Sequence, residues 1–387
     1  MRSTMAVRAA PFALLCASGA AGLRCGTRRA VVARPTTSRA RAGFVASVSA
    51  TRLAATADLS FDAERVLDAR RIDVTRSDLV SPGESTISRL WDLSIWRRHQ
   101  RISRYARHLY KWPQSKTAQQ IAPVCLVVAV WACLVHELRS RYFPGLSAPI
   151  APLTLVSSAV ALLLTLRTNQ SLGRLQEARL AWGRFVLHSR EAAGLMMCYA
   201  SEASGDLFCR HVCLLGWSLK AKLREEDDKD AVALVLPPDD AARVLEARKR
   251  PVALLRGARR IVASEAAAGR LDAQAHLALI DQLFRLNTQI GVCERLMASP
   301  VPPTITRHTS RVLLTWLASV PLGLVCMDLG MPVVVVATLA TSYVMVGIDQ
   351  IGVELEQPFQ LLPMNSLSAA LMRDVVDERY HGARCIL

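Results

Sequence analysis

None of the ten cysteines are spaced as C-x-x-C, and the chain has no G-x-S-x-G, no H-E-x-x-H, no P-loop and no glycine-rich dinucleotide fingerprint. These absences exclude a zinc ribbon, a disulfide framework and the common hydrolase and nucleotide-binding chemistries. The eight histidines are dispersed and read as surface or packing residues rather than bases. Cys209 and Cys213 lie one helical turn apart, but His211 between them points to another face, so no metal is expected there. The acidic run Glu225 to Asp230 lacks the spaced ligands and glycine of a calcium loop and reads as a solvated loop. Cys385 is third from the end, so a prenylation box is absent. Neither an enzyme nor a bound cofactor is expected.

Carboxylates are missing from residues 1–57, which carry nine of the +16 formal charges as arginines. Rich in Arg, Ala, Ser and Thr, this stretch has the composition of an organelle targeting segment. Within it, the short apolar run Ala9 to Leu23, followed by Arg24, Arg28, Arg29, Arg34, Arg39 and Arg41, fits a two-part plastid address, and a single mitochondrial or chloroplast presequence is the alternative. With that segment set aside, nucleic-acid binding loses its main support.

Charge is also missing from three long stretches, in a chain that is 51% hydrophobic with a mean hydropathy of +0.23. Thr117 to His136 is one candidate span, Gly145 to Leu166 a second, and Val312 to Ile348, broken only by Asp328 near Gly330 and Pro332, a hairpin of two more. The expected fold is an all-α integral membrane protein with four transmembrane helices and a large helical region on one side. The division is 1–57 targeting segment, 58–116 polar and interfacial basic segment, 117–166 first two spans, 167–310 helical region, 311–349 last two spans, and 350–387 tail. Ser81-Pro82-Gly83 marks a loop in the second of these. Basic flanks on the side of the large region place it in the stroma or its equivalent by the positive-inside rule. Trp91 to Trp112, basic and aromatic, reads as an interfacial helix on anionic lipid. Cys209 to Leu219, apolar but about three turns long, reads as a buried helix rather than a span. Pro237-Pro238-Asp239-Asp240 opens a further helix with Asp at a capping position.

The candidate functional residues sit at the ends of spans. Arg167 follows an uncharged run, and an arginine in hydrocarbon needs the interface, a salt bridge or a water-filled vestibule. Arg174 and Arg179 follow it roughly along one face. Arg167, Asn169 and Arg174 form the candidate anion vestibule, and Asp349, Glu354 and Glu356, after the last span, are its candidate charge partners. Ala151, Leu155 and Ala159, four apart, make a small apolar stripe on the second span, the pattern of close helix packing or of a gate that closes by dewetting.

The stretch L-R-T-N-Q-S-L-G-R-L-Q-E-A-R-L-A-W-G at 166–183 resembles the signature after the second span of bestrophin-family anion channels, especially bacterial and plastid members. K-R-P-V-A-L-L at 249–255, C-E-R-L-M-A-S-P-V-P-P-T-I-T-R-H-T-S-R at 293–311 and I-G-V-E-L-E-Q-P-F at 351–359 agree in order. The resemblance, over about 90 to 365, implies a homopentamer with one central pore and passive flow of chloride, bicarbonate or other monovalent anions. It places the pore neck on Ala151, Leu155 and Ala159, where many relatives carry bulkier residues. It implies no calcium clasp, because Gln360 to Asn365 holds no carboxylate. The expected location is a plastid membrane, the thylakoid first, with the envelope or the mitochondrial inner membrane as alternatives. A non-conducting scaffold and a coupled anion carrier are the competing functions, the carrier disfavoured because no span is interrupted by midplane charge.

Overall fold

A computed structural model describes residues 91–145 and 149–382, and among them every regular element is helical. The expected targeting segment, the Ser81-Pro82-Gly83 loop and the last five residues lie outside the described residues. Two short helices, α1 (Leu93–Gln100) and α2 (Arg104–Tyr110), and a 3-10 turn at Trp112–Gln114 lead into α3 (Lys116–Tyr142). Ser115 caps α3 through its hydroxyl, which accepts from the Ala118 amide. The helix outlasts the candidate span that ended at His136: α3 stays helical to Tyr142, where Arg139 and Arg141 suit its C-terminal end.

Helix α4 (Ala151–Tyr199) is the axis of the molecule. It begins later than the uncharged run, with Pro152 in its first turn where the missing amide costs nothing. It then passes Arg167 without a break and reaches about 73 Å at 1.5 Å per residue, more than twice the ~30 Å of a bilayer's hydrocarbon. The apolar half belongs with the spans and the polar half with the helical region.

That region continues through α5 (Glu202–Arg224), α6 (Lys229–Val235), α7 (Pro238–Leu245), α8 (Arg250–Ala267) and α9 (Ala273–Ala298). Every residue from Phe208 to Ala221 in α5 is buried, in keeping with the buried helix expected from Cys209 to Leu219, and the charged Arg210 and Lys220 within it are paired with Asp206 and Glu226. Its core joins Trp182 and Phe185 of α4 to Phe208 and Trp217 of α5 and to Leu279, Leu283 and Leu286 of α9. Glu265 of α8 stabilises the start of α5, accepting from the Ser201 amide at 3.1 Å and the Ser204 hydroxyl at 2.7 Å. Burial works against its charge, but Arg270 and these donors outweigh it and hold the carboxyl at about 2. In α7, Asp239 and Asp240 occupy the first turn rather than the cap, which is Pro237. There they still meet the positive end of the helix dipole.

The chain returns through α10 (Pro303–Val325) and α11 (Met331–Glu356), then α12 (Pro358–Leu361) and α13 (Met364–Gly382). Helices α3, α4 and α11 are long and apolar enough to cross a membrane. In α10 the uncharged part runs only from Val312 to Val325, about 21 Å. It packs among the other three: Leu313, Trp316 and Leu317 meet Val160 and Leu164 of α4, and Val325 meets Ala132 and Val135 of α3. The turn between α10 and α11 is tied to α3, for Arg139 donates to the Val325 carbonyl and, at 3.1 Å, to Asp328. Asp328 adopts the left-handed conformation, φ 56°, that reverses the chain.

Candidate functional site

Two faces of α4 define the site. One is buried: Val160, Leu164, Arg167, Ser171, Leu175 and Ala178 follow one another at helical spacing. On the opposite side Ala151, Leu155, Ala159, Leu162, Leu166 and Asn169 succeed one another at steps of three or four and are all exposed. Leu155 is 74% exposed in the single chain, far more than a packing role within one copy allows. The hydroxyls nearby add little polarity. Thr154, Ser157, Ser158 and Thr165 each donate to a carbonyl three or four residues back, at 2.7 to 2.8 Å. The exposed stripe is therefore dry in character up to Leu166, and Asn169 is its first side chain with amide hydrogens.

Arg167 lies on the buried face and is ion-paired with Asp349 of α11. Its side chain is 1% exposed, and Nε and Nη2 have no hydrogen-bond partner. One turn on, the buried Ser171 hydroxyl is also without one. Arg174 is fully engaged: Nε donates to the Glu356 carbonyl at 3.0 Å, Nη1 to that of Ser299 and Nη2 to that of Leu296, both at 2.6 Å. One guanidinium thus gathers the C-terminal ends of α9 and α11, where carbonyls and helix dipoles both favour a cation. Arg179 is exposed and lies off that face because twelve residues turn a helix by about 120°.

Of the acidic residues, Asp349 meets Arg167, while the other two turn elsewhere. Glu356 accepts from the Val301 amide at 3.1 Å, and Glu354 faces Gln350 at 3.5 Å on its own helix. Gln350 also donates to Gln120 of α3 at 3.0 Å. Residues 167 and 349, like 174 and 299, come together only through the fold, so composition near each site did not single out which carbonyl, or which of the three candidate carboxylates, was the partner. The Arg139–Asp328 clasp was equally hidden, although Asp328 alone in an apolar hairpin was visible.

A bundle of apolar helices joined to a polar helical region by one long shared helix, with buried charge at the junction, defines a helical membrane protein. The family described as Bacterial/Fungal Bestrophin protein matches residues 95–377, and the chain belongs to the bestrophin family. It is 27% identical over 291 residues to voltage-dependent chloride channel 2, chloroplastic, of Arabidopsis thaliana, covering 72% of this chain and 70% of that one. It is 28% identical over 285 residues to a voltage-dependent anion channel-forming protein of Ralstonia nicotianae, covering 70% of this chain and 92% of that protein. A solved bacterial bestrophin homolog from Klebsiella pneumoniae is 25% identical, with a TM-score of 0.64 over 67% of this chain and 99% of its own.

Proposed function

We propose that this protein is a passive anion channel of a plastid membrane, the thylakoid first, passing chloride or bicarbonate and offsetting the charge of light-driven proton movement. Five copies surround one pore, each contributing α4, with α10 as the fourth span. The observation that carries the reading is the exposed stripe Ala151, Leu155, Ala159, Leu162 and Leu166 on a helix whose other face is packed. A ring of such stripes makes a narrow apolar neck that wets or dries as it widens or closes. Asn169 lies at its inner end, where its amide hydrogens meet an anion leaving the neck.

In this reading Arg167 and Arg174 are positioning residues. Their charge is taken up by Asp349 and by three carbonyls, so they fix the angle of α4 against α11 and α9. Selectivity then rests on the ease with which a weakly hydrated anion enters an apolar ring rather than on a bare cation. Assembly has support beyond the spans: Leu180, Leu187, Leu277 and Phe284 stand exposed on the polar halves of α4 and on α9, where apolar side chains call for cover by another copy. The plastid assignment draws on the chloroplastic relative and on the arginine-rich, acid-free first 57 residues.

Purified protein in planar bilayers is expected to give anion-selective current, with reversal potentials that follow chloride and bicarbonate gradients. Leu155→Ala should raise unit conductance by about twofold or more while keeping anion selectivity, since it widens the neck without adding charge. Strictly cation-selective current, or a conductance indifferent to Leu155, removes the assignment.

A further inference from the structure

We propose that the segment before α3 is a docking surface for anionic lipid headgroups at the membrane interface. It contains Arg97, Arg98, Arg101, Arg104, Arg107 and Lys111, and no carboxylate occurs between Asp92 and Glu137. Neither α1 nor α2 buries a single residue, and Ile102 and Tyr110 are 85% and 83% exposed. On α2, Tyr105, Ala106, Leu109 and Tyr110 fall on one side, with Arg104, Arg107, His108 and Lys111 on the other. Such a helix is suited to lie in a bilayer surface with its rings at headgroup depth.

The position of the segment carries the inference further. Gln120 of α3 sits level with Gln350 of α11, and stepping back along the chain from Gln120 leads away from the apolar zone. Yet Trp112 donates to the Tyr343 hydroxyl at 2.5 Å, ring centroids 5.2 Å apart. Tyr343 is about 10 Å nearer the middle of α11 than Gln350, by seven residues at 1.5 Å each. The chain before α3 therefore doubles back along the bundle toward the apolar zone, bringing its cations to the depth of lipid phosphates. A soluble acidic partner fits the charge but not the uncovered Ile102, Leu109 and Tyr110 beside a spanning helix.

The proposal rests on α3 and α11 crossing a membrane, and the test separates the two. Full-length protein is reconstituted with spin-labelled phosphatidylglycerol or spin-labelled phosphatidylcholine, and the motionally restricted fraction is read by electron paramagnetic resonance. Wild type should favour phosphatidylglycerol by about fivefold, with the preference shrinking at high salt. Replacing the six cations by glutamine should bring the ratio to about one, whereas replacing the five arginines by lysine should keep it, since charge rather than fork geometry is needed. Arg285→Gln, on the far helical region, should leave it unchanged. Equal restriction of both lipids by wild type, or a preference that survives the glutamine variant, overturns the proposal. No restricted lipid of either kind removes the spanning reading and the proposal with it.

Discussion

Arg167 shows how much a single residue's partner decides. With one nitrogen on Asp349 and two buried without partners, the pair gains little over an apolar replacement, but either half left alone is a buried unpaired charge. Arg167→Met should cost about 3 kcal/mol, seen as a lower melting temperature in detergent, and Arg167→Met with Asp349→Leu should recover most of it. A single variant that melts with wild type removes this account. His211 is a second case. Its ring is packed so tightly on Gly257 that a Cβ there would lie 2.4 Å away. Burial pushes its pKa down, further lowered by Arg243 and opposed by the Leu207 carbonyl and Asp240. A depressed folded value means the unfolded chain takes up a proton that the folded chain refuses, so stability falls as pH drops below the ordinary value of about 6.5. Glu265, held at about 2, loses its contribution only below about 4.5. Thermal stability should therefore fall between pH 7.5 and 5, and His211→Asn should flatten that slope. An unchanged slope in the variant assigns the loss to other groups.

At the scale of elements, uncharged runs located α3, the first half of α4 and α11, because lipid-facing helices must be apolar along their whole surface. Their ends were less legible. Hydropathy stops where the bilayer stops, whereas the backbone keeps its hydrogen bonds, so α3 runs on to Tyr142 and α4 to Tyr199. The α10–α11 turn offers a test in which two small effects oppose. Asp328→Gly loses a solvent-exposed ion pair worth about 0 to 1 kcal/mol but relieves a left-handed residue by a similar amount. It should melt within a few degrees of wild type, while Asp328→Val, which loses the pair and worsens the strain, should melt clearly lower. If both variants melt alike, backbone strain at Asp328 is not a factor.

For the molecule as a whole, the all-helical fold and the family were legible in four sequence blocks, and Asp349 was among the charge partners named for Arg167, but most other side-chain partners were not legible. Arg174 is the clearest example: the residues whose carbonyls it meets are more than a hundred positions away, and backbone carbonyls leave no mark in a sequence. The same contacts give α4 a mechanical character. It contains no proline beyond its first turn, and its firmest lateral anchor in the apolar half is the Arg167–Asp349 pair. Leu155 lies about 18 Å to one side of that fulcrum and Tyr199 about 48 Å to the other, at 1.5 Å per residue. A rigid tilt of about 5° there displaces Tyr199 by roughly 4 Å and Leu155 by roughly 1.6 Å in the opposite sense. The helix is thus a lever with a reduction ratio of about 2.7, turning a coarse stroke among the helices of the polar region into a fine displacement at Leu155.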